Sequence, residues 1–133
     1  VWNVTSFSEL RRDAVETEWW NLMHPDKKQK KSHLETSLSK NSVPTVAVSD
    51  YVKMVSEQIG PYVPGPYYAL GTDGFGRSET RDALRRFFEV DRYYIVLTAI
   101  RALANENKIE MEVVEKVMDK YHLDPEKPNP INV

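Results

Sequence analysis

The 133-residue chain contains no cysteine. That excludes disulfides, thiolate metal sites and cysteine nucleophiles, and it fits a reducing compartment. No apolar run approaches the roughly 20 residues needed to cross a bilayer as a helix. The N-terminus shows no basic segment followed by an apolar one, so no signal peptide is expected. Net charge is also scarce. Eighteen Lys and Arg against 20 Asp and Glu leave −2, which gives no general attraction to nucleic acid or membrane surfaces. The three histidines, His24, His33 and His122, lie far apart, and none forms a helical pair suited to a metal. No Ser-His-Asp arrangement is legible.

What is present is ordinary for a soluble globular chain, with 41% apolar and 29% charged residues. The length suits one domain, here spanning 1–133 with an irregular, proline-bearing tail over 123–133. Val1 to Thr5 is β-branched and aromatic and reads as a strand. A chain that begins inside a strand is expected to be a fragment of something longer. Ser6 and Glu9 form a capping-box pattern that opens a helix running to about Met23, where His24-Pro25 ends it. Lys27, Lys28, Lys30 and Lys31 read as a solvated surface loop, since no aromatic interleaves with them as a single-strand binder would need. His33 to Leu38 suits a short helix. A second strand is expected over Ser42 to Ser49, and then a helix from Tyr51 to Ile59 capped by Ser49 or Asp50, with Val52, Val55 and Ile59 facing inward. Asp91 should cap a long helix to Asn105 that packs on two sides. A last helix is expected over Glu110 to Tyr121. Trp2, Trp19 and Trp20 read as core or interface anchors.

The most informative stretch is Tyr67 to Phe88. Tyr67 to Leu70 reads as a buried third strand. Gly71, Gly74 and Gly76 then permit a sharp turn. Ser78 is the expected cap of the following helix, with Glu79 and Asp82 in its first turn and Ala83, Leu84, Phe87 and Phe88 on its apolar face. The turn residues Gly71, Asp73, Gly74, Phe75, Gly76, Arg77 and Ser78 are the candidate site. A structural turn is the leading reading, with Asp73 accepting backbone hydrogen bonds inside it. An interface or loop-anchoring role comes second. Third is an anion site, in which helix-start amides are joined by Arg77 and Arg81. The spacing Gly-x-x-Gly-x-Gly is neither the dinucleotide fingerprint nor a P-loop.

The run Leu70-Gly71-Thr72-Asp73-Gly74-Phe75-Gly76-Arg77-Ser78, followed by Phe88-Glu89-Val90-Asp91, closely resembles the C-terminal domain of the homodimeric bacterial pyruvate dehydrogenases. Its Asp-x-Phe-Gly-x-Ser core is shared more loosely by transketolases. Val1 to Phe7 with Glu9-Leu10, Trp20-Asn21, Leu22 to Pro25, Ser49-Asp50-Tyr51, Tyr62-Val63-Pro64 and Asn129-Pro130 extend the resemblance over most of the chain in the right order. The lysine cluster departs from the family's less basic segment.

The resemblance implies a three-layer α/β fold, a sheet with flanking helices like that of transketolase C-terminal domains, here lacking its first strand and helix. It implies thiamine diphosphate and Mg²⁺ bound in the parent enzyme outside this segment, and no catalytic, cofactor-binding or metal residue inside it. It further implies a homodimer partner, a dihydrolipoamide acetyltransferase partner component and a cytoplasmic location. The expected role is structural and dimerising. The rival readings are a regulatory anion-binding module at residues 71–78 and a free-standing interaction module.

Overall fold

The structure, a computed structural model, describes residues 1–38 and 43–133. Its centre is a two-stranded parallel sheet. Strand β1 (Thr45–Val48) pairs with β2 (Tyr67–Leu70) in the register Thr45↔Tyr67 through Val48↔Leu70. Backbone bonds extend the pairing at both ends, Thr45 N–H to Pro66 O at 2.8 Å and Ser49 N–H to Leu70 O at 3.0 Å. A parallel pair needs a crossover. Here it carries helix α3 (Lys53–Glu57) and a 3₁₀ turn at Gly60–Tyr62. The part of the expected second strand at Ser42 lies outside the described residues.

The alternation of β2 divides the domain into layers. Tyr67 packs on the cluster of Leu34, Ile59 and Val63, which joins helix α1 (Phe7–Met23), α2 (His33–Leu38) and the α3 region. Tyr68, one residue on, points to the opposite face. Its hydroxyl oxygen accepts from Asn105 Nδ2 at 3.3 Å, at the end of helix α5 (Arg92–Asn105). Helix α5 touches both strands on one side and α6 (Met111–Lys120) on another, which gives the two-sided packing expected of it. The domain is therefore α/β, with helices on both faces of a small sheet.

Several helix boundaries come from caps. Ser6 Oγ accepts from Glu9 N–H at 3.2 Å and opens α1, but Glu9 pairs with Arg12 instead of completing the box. A reciprocal box does form at α2, where Ser32 N–H donates to Glu35 Oε2 at 2.8 Å and Glu35 N–H to Ser32 Oγ at 3.2 Å. Asp91 Oδ1 accepts from the N–H groups of Tyr93 and Tyr94 at 2.9 and 3.0 Å and opens α5. Its other oxygen lies 3.3 Å from Arg86 Nη1. Arg86 also donates to the carbonyls of Tyr121 and His122 at 3.0 and 3.3 Å, so one guanidinium joins the start of α5 to the end of α6.

The structure corrects three expectations here. Val1 to Thr5 is not a strand, and Val1, Trp2 and Val4 are exposed. A strand exists only where a neighbour completes its ladder, and the described residues offer none to this segment. Helix α3 is shorter than expected and is capped by neither Ser49 nor Asp50; Val52 holds the cap position without a side-chain bond and faces solvent. Helix α4 (Arg81–Phe87) is capped by Thr80, whose Oγ1 accepts from Ala83 N–H at 3.3 Å, while Ser78 stays exposed in the extended stretch before it. Trp2 and Trp19 are exposed, so of the core and interface roles expected of them only the interface one stays open. Only Trp20 is half-buried, stacked on His24 at 4.4 Å under the ammonium of Lys30 at 4.0 Å. The lysine loop is exposed, as expected, and its path is fixed by Asn21, which both donates to and accepts from the Lys30 backbone.

Two measurements test this account. Asp91→Ala removes the α5 cap and a partner of Arg86, and should cost about 1–2 kcal/mol in urea denaturation. A loss below experimental error would mean that α5 starts elsewhere. Tyr67 donates its hydroxyl proton to Ser56 O at 2.7 Å. Desolvation, with the charge of Glu57 second, pushes its pKa up to about 12. The unfolded tyrosine ionises near pH 10, so the unfolded chain loses this proton first. The contribution is complete below about pH 10 and is lost between about pH 10 and 12. Tyr67→Phe should flatten that alkaline fall in melting temperature and remove the last-titrating tyrosinate absorbance at 295 nm.

Candidate functional site

Glycine is needed at two positions of the turn, for two different reasons. At Gly71 the need is contact. A Cβ there would lie 2.6 Å from Lys53 N and 2.7 Å from Tyr51 O. The backbone after β1 therefore runs against the backbone after β2, with no room for a side chain between them. At Gly74 the need is both conformation and contact. Its φ is +109°, and a Cβ would lie 2.3 Å from Pro130 O. Gly76 is different, since a Cβ there would meet nothing within 4 Å. Close approach and positive φ are the two uses for which glycine is the default residue.

Hydrogen bonds join the same segments. Thr72 N–H donates to Tyr51 O at 2.9 Å, and Thr72 Oγ1 donates to Asp50 O at 2.9 Å. Asp73 Oδ1 accepts from Lys53 N–H at 2.9 Å. Asp73 thus bonds outside its own turn, contrary to expectation. It supplies across space the N-terminal acceptor that α3 lacks locally, and a carboxylate at a helix start is favoured by the helix dipole as well. Nothing in the sequence spacing marks Lys53 as its partner, because 20 residues separate them. The unpaired first amide of α3 becomes a clue only once the cap is seen to be missing.

The C-terminal tail meets the turn from the other side. Pro130 is buried against Gly74. Asn129 Oδ1 accepts from Ile131 N–H at 3.1 Å and shapes the closing 3₁₀ turn at Pro130–Asn132. Upstream, Lys127 Nζ lies 2.7 Å from Glu89 Oε1 and 2.9 Å from Phe87 O. Glu89 has a φ of +62° at the C-terminal end of α4, and Lys127 ties that end to the tail.

The remaining candidate residues point outward. Phe75 is 79% exposed. The guanidinium of Arg77 sits 4.0 Å over the Phe87 ring, within cation–π range. Gly76 and Ser78 are exposed. The turn therefore brings Gly71, Asp73 and Gly74 into one anchoring cluster with Tyr51, Lys53 and Pro130, and leaves Phe75 to Ser78 outside it. A cleft of about 80 Å³ lies between Lys53, Asp73, Glu89 and Asn129, room for two or three waters. Two carboxylates line it, and the Thr72 amide is already bonded. The geometry supports anchoring, and nothing in it favours an anion.

Valine substitutions separate the glycines. Gly74→Val should destabilise by roughly 1–3 kcal/mol, whereas Gly76→Val should stay within about 0.5 kcal/mol of wild type. Thermal melts of the two variants check this, and equal effects would show that the tail does not sit on Gly74.

Comparison with known proteins gives a consistent picture. A family model described as the transketolase-like TK C-terminal domain matches residues 1–91. The pyruvate dehydrogenase E1 component of Cupriavidus necator is 49% identical over 133 residues, all of this chain and 15% of that protein. The same-named protein of Pseudomonas aeruginosa is 50% identical over 99% of this chain and 15% of its own length. The Escherichia coli K12 protein is 43% identical over 98% of this chain and 14% of its length. The chain thus spans about one seventh of the length of these relatives. The motifs around Gly71 to Ser78, the α/β layering and a family match over more than half the chain agree, and the chain belongs to the transketolase-like TK C-terminal domain family.

Proposed function

We propose that residues 1–133 form the C-terminal structural and dimerisation domain of a thiamine-diphosphate-dependent pyruvate dehydrogenase E1 component. The observation that carries this reading is the match of essentially the whole chain, at close to half identity, to proteins of that name. The parent reaction converts pyruvate and an oxidised lipoyl group to carbon dioxide and an S-acetyl-dihydrolipoyl group. The two electrons released by decarboxylation and oxidation reduce the lipoyl disulfide. The lipoyl acceptor belongs to a dihydrolipoamide acetyltransferase partner, and the setting is the cytoplasm.

The residues of this segment do not fit the cofactor pair. Among the described residues no group of three or more His, Asp or Glu side chains suits a metal ion. The 80 Å³ cleft is well below the roughly 300 Å³ at which ligand pockets begin. A second depression, of about 510 Å³, is large enough but is an open face of α1 lined by Glu9, Arg12, Asp13 and Glu16, whose three carboxylates repel a diphosphate. Binding of thiamine diphosphate and Mg²⁺ in the parent chain outside this segment is therefore part of the proposal, carried by the family likeness, and no step of the chemistry is drawn through these residues.

The dimerising part of the proposal rests on α1. Val15, Trp19, Leu22 and Met23 are all exposed. They recur at i, i+4, i+7 and i+8, which places them in one stripe. An apolar helical stripe facing solvent is what an interface partner covers.

The test uses the full-length parent, assayed for pyruvate-dependent acetyl transfer with thiamine diphosphate and Mg²⁺, beside a version lacking residues 1–133. The parent should be active, and the shortened protein should be an inactive monomer by light scattering. A shortened protein that stays dimeric and active would remove this domain from both roles.

A further inference from the structure

The accessible surface of the chain is 9509 Å². A compact monomer of 15.4 kDa is expected to expose about 7,200 Å². The excess is about 2,300 Å², well above the roughly 800 Å² that one partner contributes to a standard interface. An excess of that size leaves room for an interface of standard extent.

The glycine-rich turn shows one place where such packing is prepared. Three segments distant in sequence converge there, and each brings a large apolar side chain into solvent. Tyr51 is 72% exposed and Met54 74%, on the segment held by Gly71 and Asp73. Phe75 comes directly after Gly74. Ile131, 55% exposed, comes after the Pro130 that Gly74 receives. Scattered single apolar residues on a surface are normal; these four stand out because the backbones that carry them meet at one turn. Flexible tips often carry such residues without consequence. These four instead sit on backbone fixed by the Thr72, Asp73 and Lys53 hydrogen bonds and by the Pro130 contact. Fixing aromatic and aliphatic side chains in advance lowers the entropy lost on docking.

We infer that Tyr51, Met54, Phe75 and Ile131 form a preorganised apolar docking surface, covered in the parent enzyme by the portion of the same polypeptide outside residues 1–133. This rests on the proposed parent, and it specifies which face of the domain meets the remaining chain. The occupant is chosen on length. About 85% of the relatives' length lies outside the matched segment, so a covalently tethered neighbour is at hand for every copy. Tethering makes that contact intramolecular, which favours it over a free partner at ordinary concentrations.

The absence of cysteine from this segment allows a direct test. Tyr51→Cys, Phe75→Cys and Ile131→Cys are introduced singly into the full-length parent. Maleimide labelling of each position is read by peptide mass spectrometry, and rates are normalised to the same variant unfolded in guanidinium. Labelling in the native parent should be slower by more than about tenfold, and the protection should persist on dilution to monomer. Rates within about threefold of the unfolded reference would overturn the inference. Protection that vanishes on dilution would also overturn it, because the occupant would then be a second copy. Acetyl transfer by the unmodified parent is scored separately. An active parent with freely labelled positions removes only the docking surface, and an inactive parent with protected positions removes only the proposed reaction.

Discussion

The contact on which the rest of the domain depends is the approach of one backbone to another at Gly71. Lys53 N and Tyr51 O come so near that a single methyl group could not be inserted. The consequence is topological. Each strand must leave the sheet at the same end, because the pair is parallel, and the two exits must pass one another. A side chain at residue 71 would push them apart, break the Thr72 bonds to Tyr51 and Asp50, and take Asp73 out of reach of Lys53. Helix α3 would then begin with an unpaired amide, at a cost comparable to that of a lost cap. One missing Cβ thus determines the strand exits, the start of a helix and the position of the outward-facing Phe75.

The second tie works by charge. Arg86 and Lys127 both fasten the far end of α4 to more C-terminal parts of the chain, Arg86 through the carbonyls of Tyr121 and His122 and Lys127 through Glu89 and the Phe87 carbonyl. Their ion pairs are partly exposed, and exposed pairs alone contribute little. Their value is geometric. Each cation accounts for carbonyls at helix ends, and each lies against aromatic rings that limit water around it, Tyr93 and Tyr94 for Arg86 and Phe87 for Lys127. The tail consequently has a defined path from α6 to Gly74, although it is almost without regular structure.

Local signals in the sequence reveal those features that are themselves local. The cap at Ser6, the cap at Asp91, the short helix over His33 to Leu38 and the strand Tyr67 to Leu70 are all written within a few residues of where they act. The need for glycine at position 74 is also legible, since a Gly-rich strand-to-helix turn calls for a positive φ. Its partner is not, because Pro130 is 56 residues away and proline in a tail carries no signal of what it touches. Asp73 departs from expectation for the same reason. A turn aspartate ordinarily bonds within its own turn, and only the missing cap on α3 redirects it. Ser78 loses to Thr80 although N-cap propensity ranks serine above threonine, so local preference alone misplaces the helix start by two residues. Val1 to Thr5 fails as a strand because β-propensity measures fit to a neighbour that the segment does not have among the described residues.

The distribution of aromatic residues connects these local facts to the proposed role. Aromatic side chains ordinarily dominate protein cores. Among the described residues the buried apolar set is Ala14, Leu34, Ile59, Val63, Val90, Ala102, Ala104, Val114 and Leu123, which contains no aromatic at all. The rings of Trp2, Trp19, Tyr51 and Phe75 lie outward instead. A small aliphatic core, with Phe7, Tyr62 and Tyr67 half-buried against it, can hold a two-stranded sheet and its helices together, but it leaves Trp2, Trp19, Tyr51 and Phe75 without cover. In a protein meant to stand alone, that arrangement would sacrifice stability for nothing. In a domain that completes its burial against neighbours it is economical, because the same rings that contribute little to the isolated fold contribute their full apolar area to the assembly. On the proposed role, the fold and the interface share one source of stability, and a substitution at an exposed ring should be felt in the proposed assembly far more than in the domain itself.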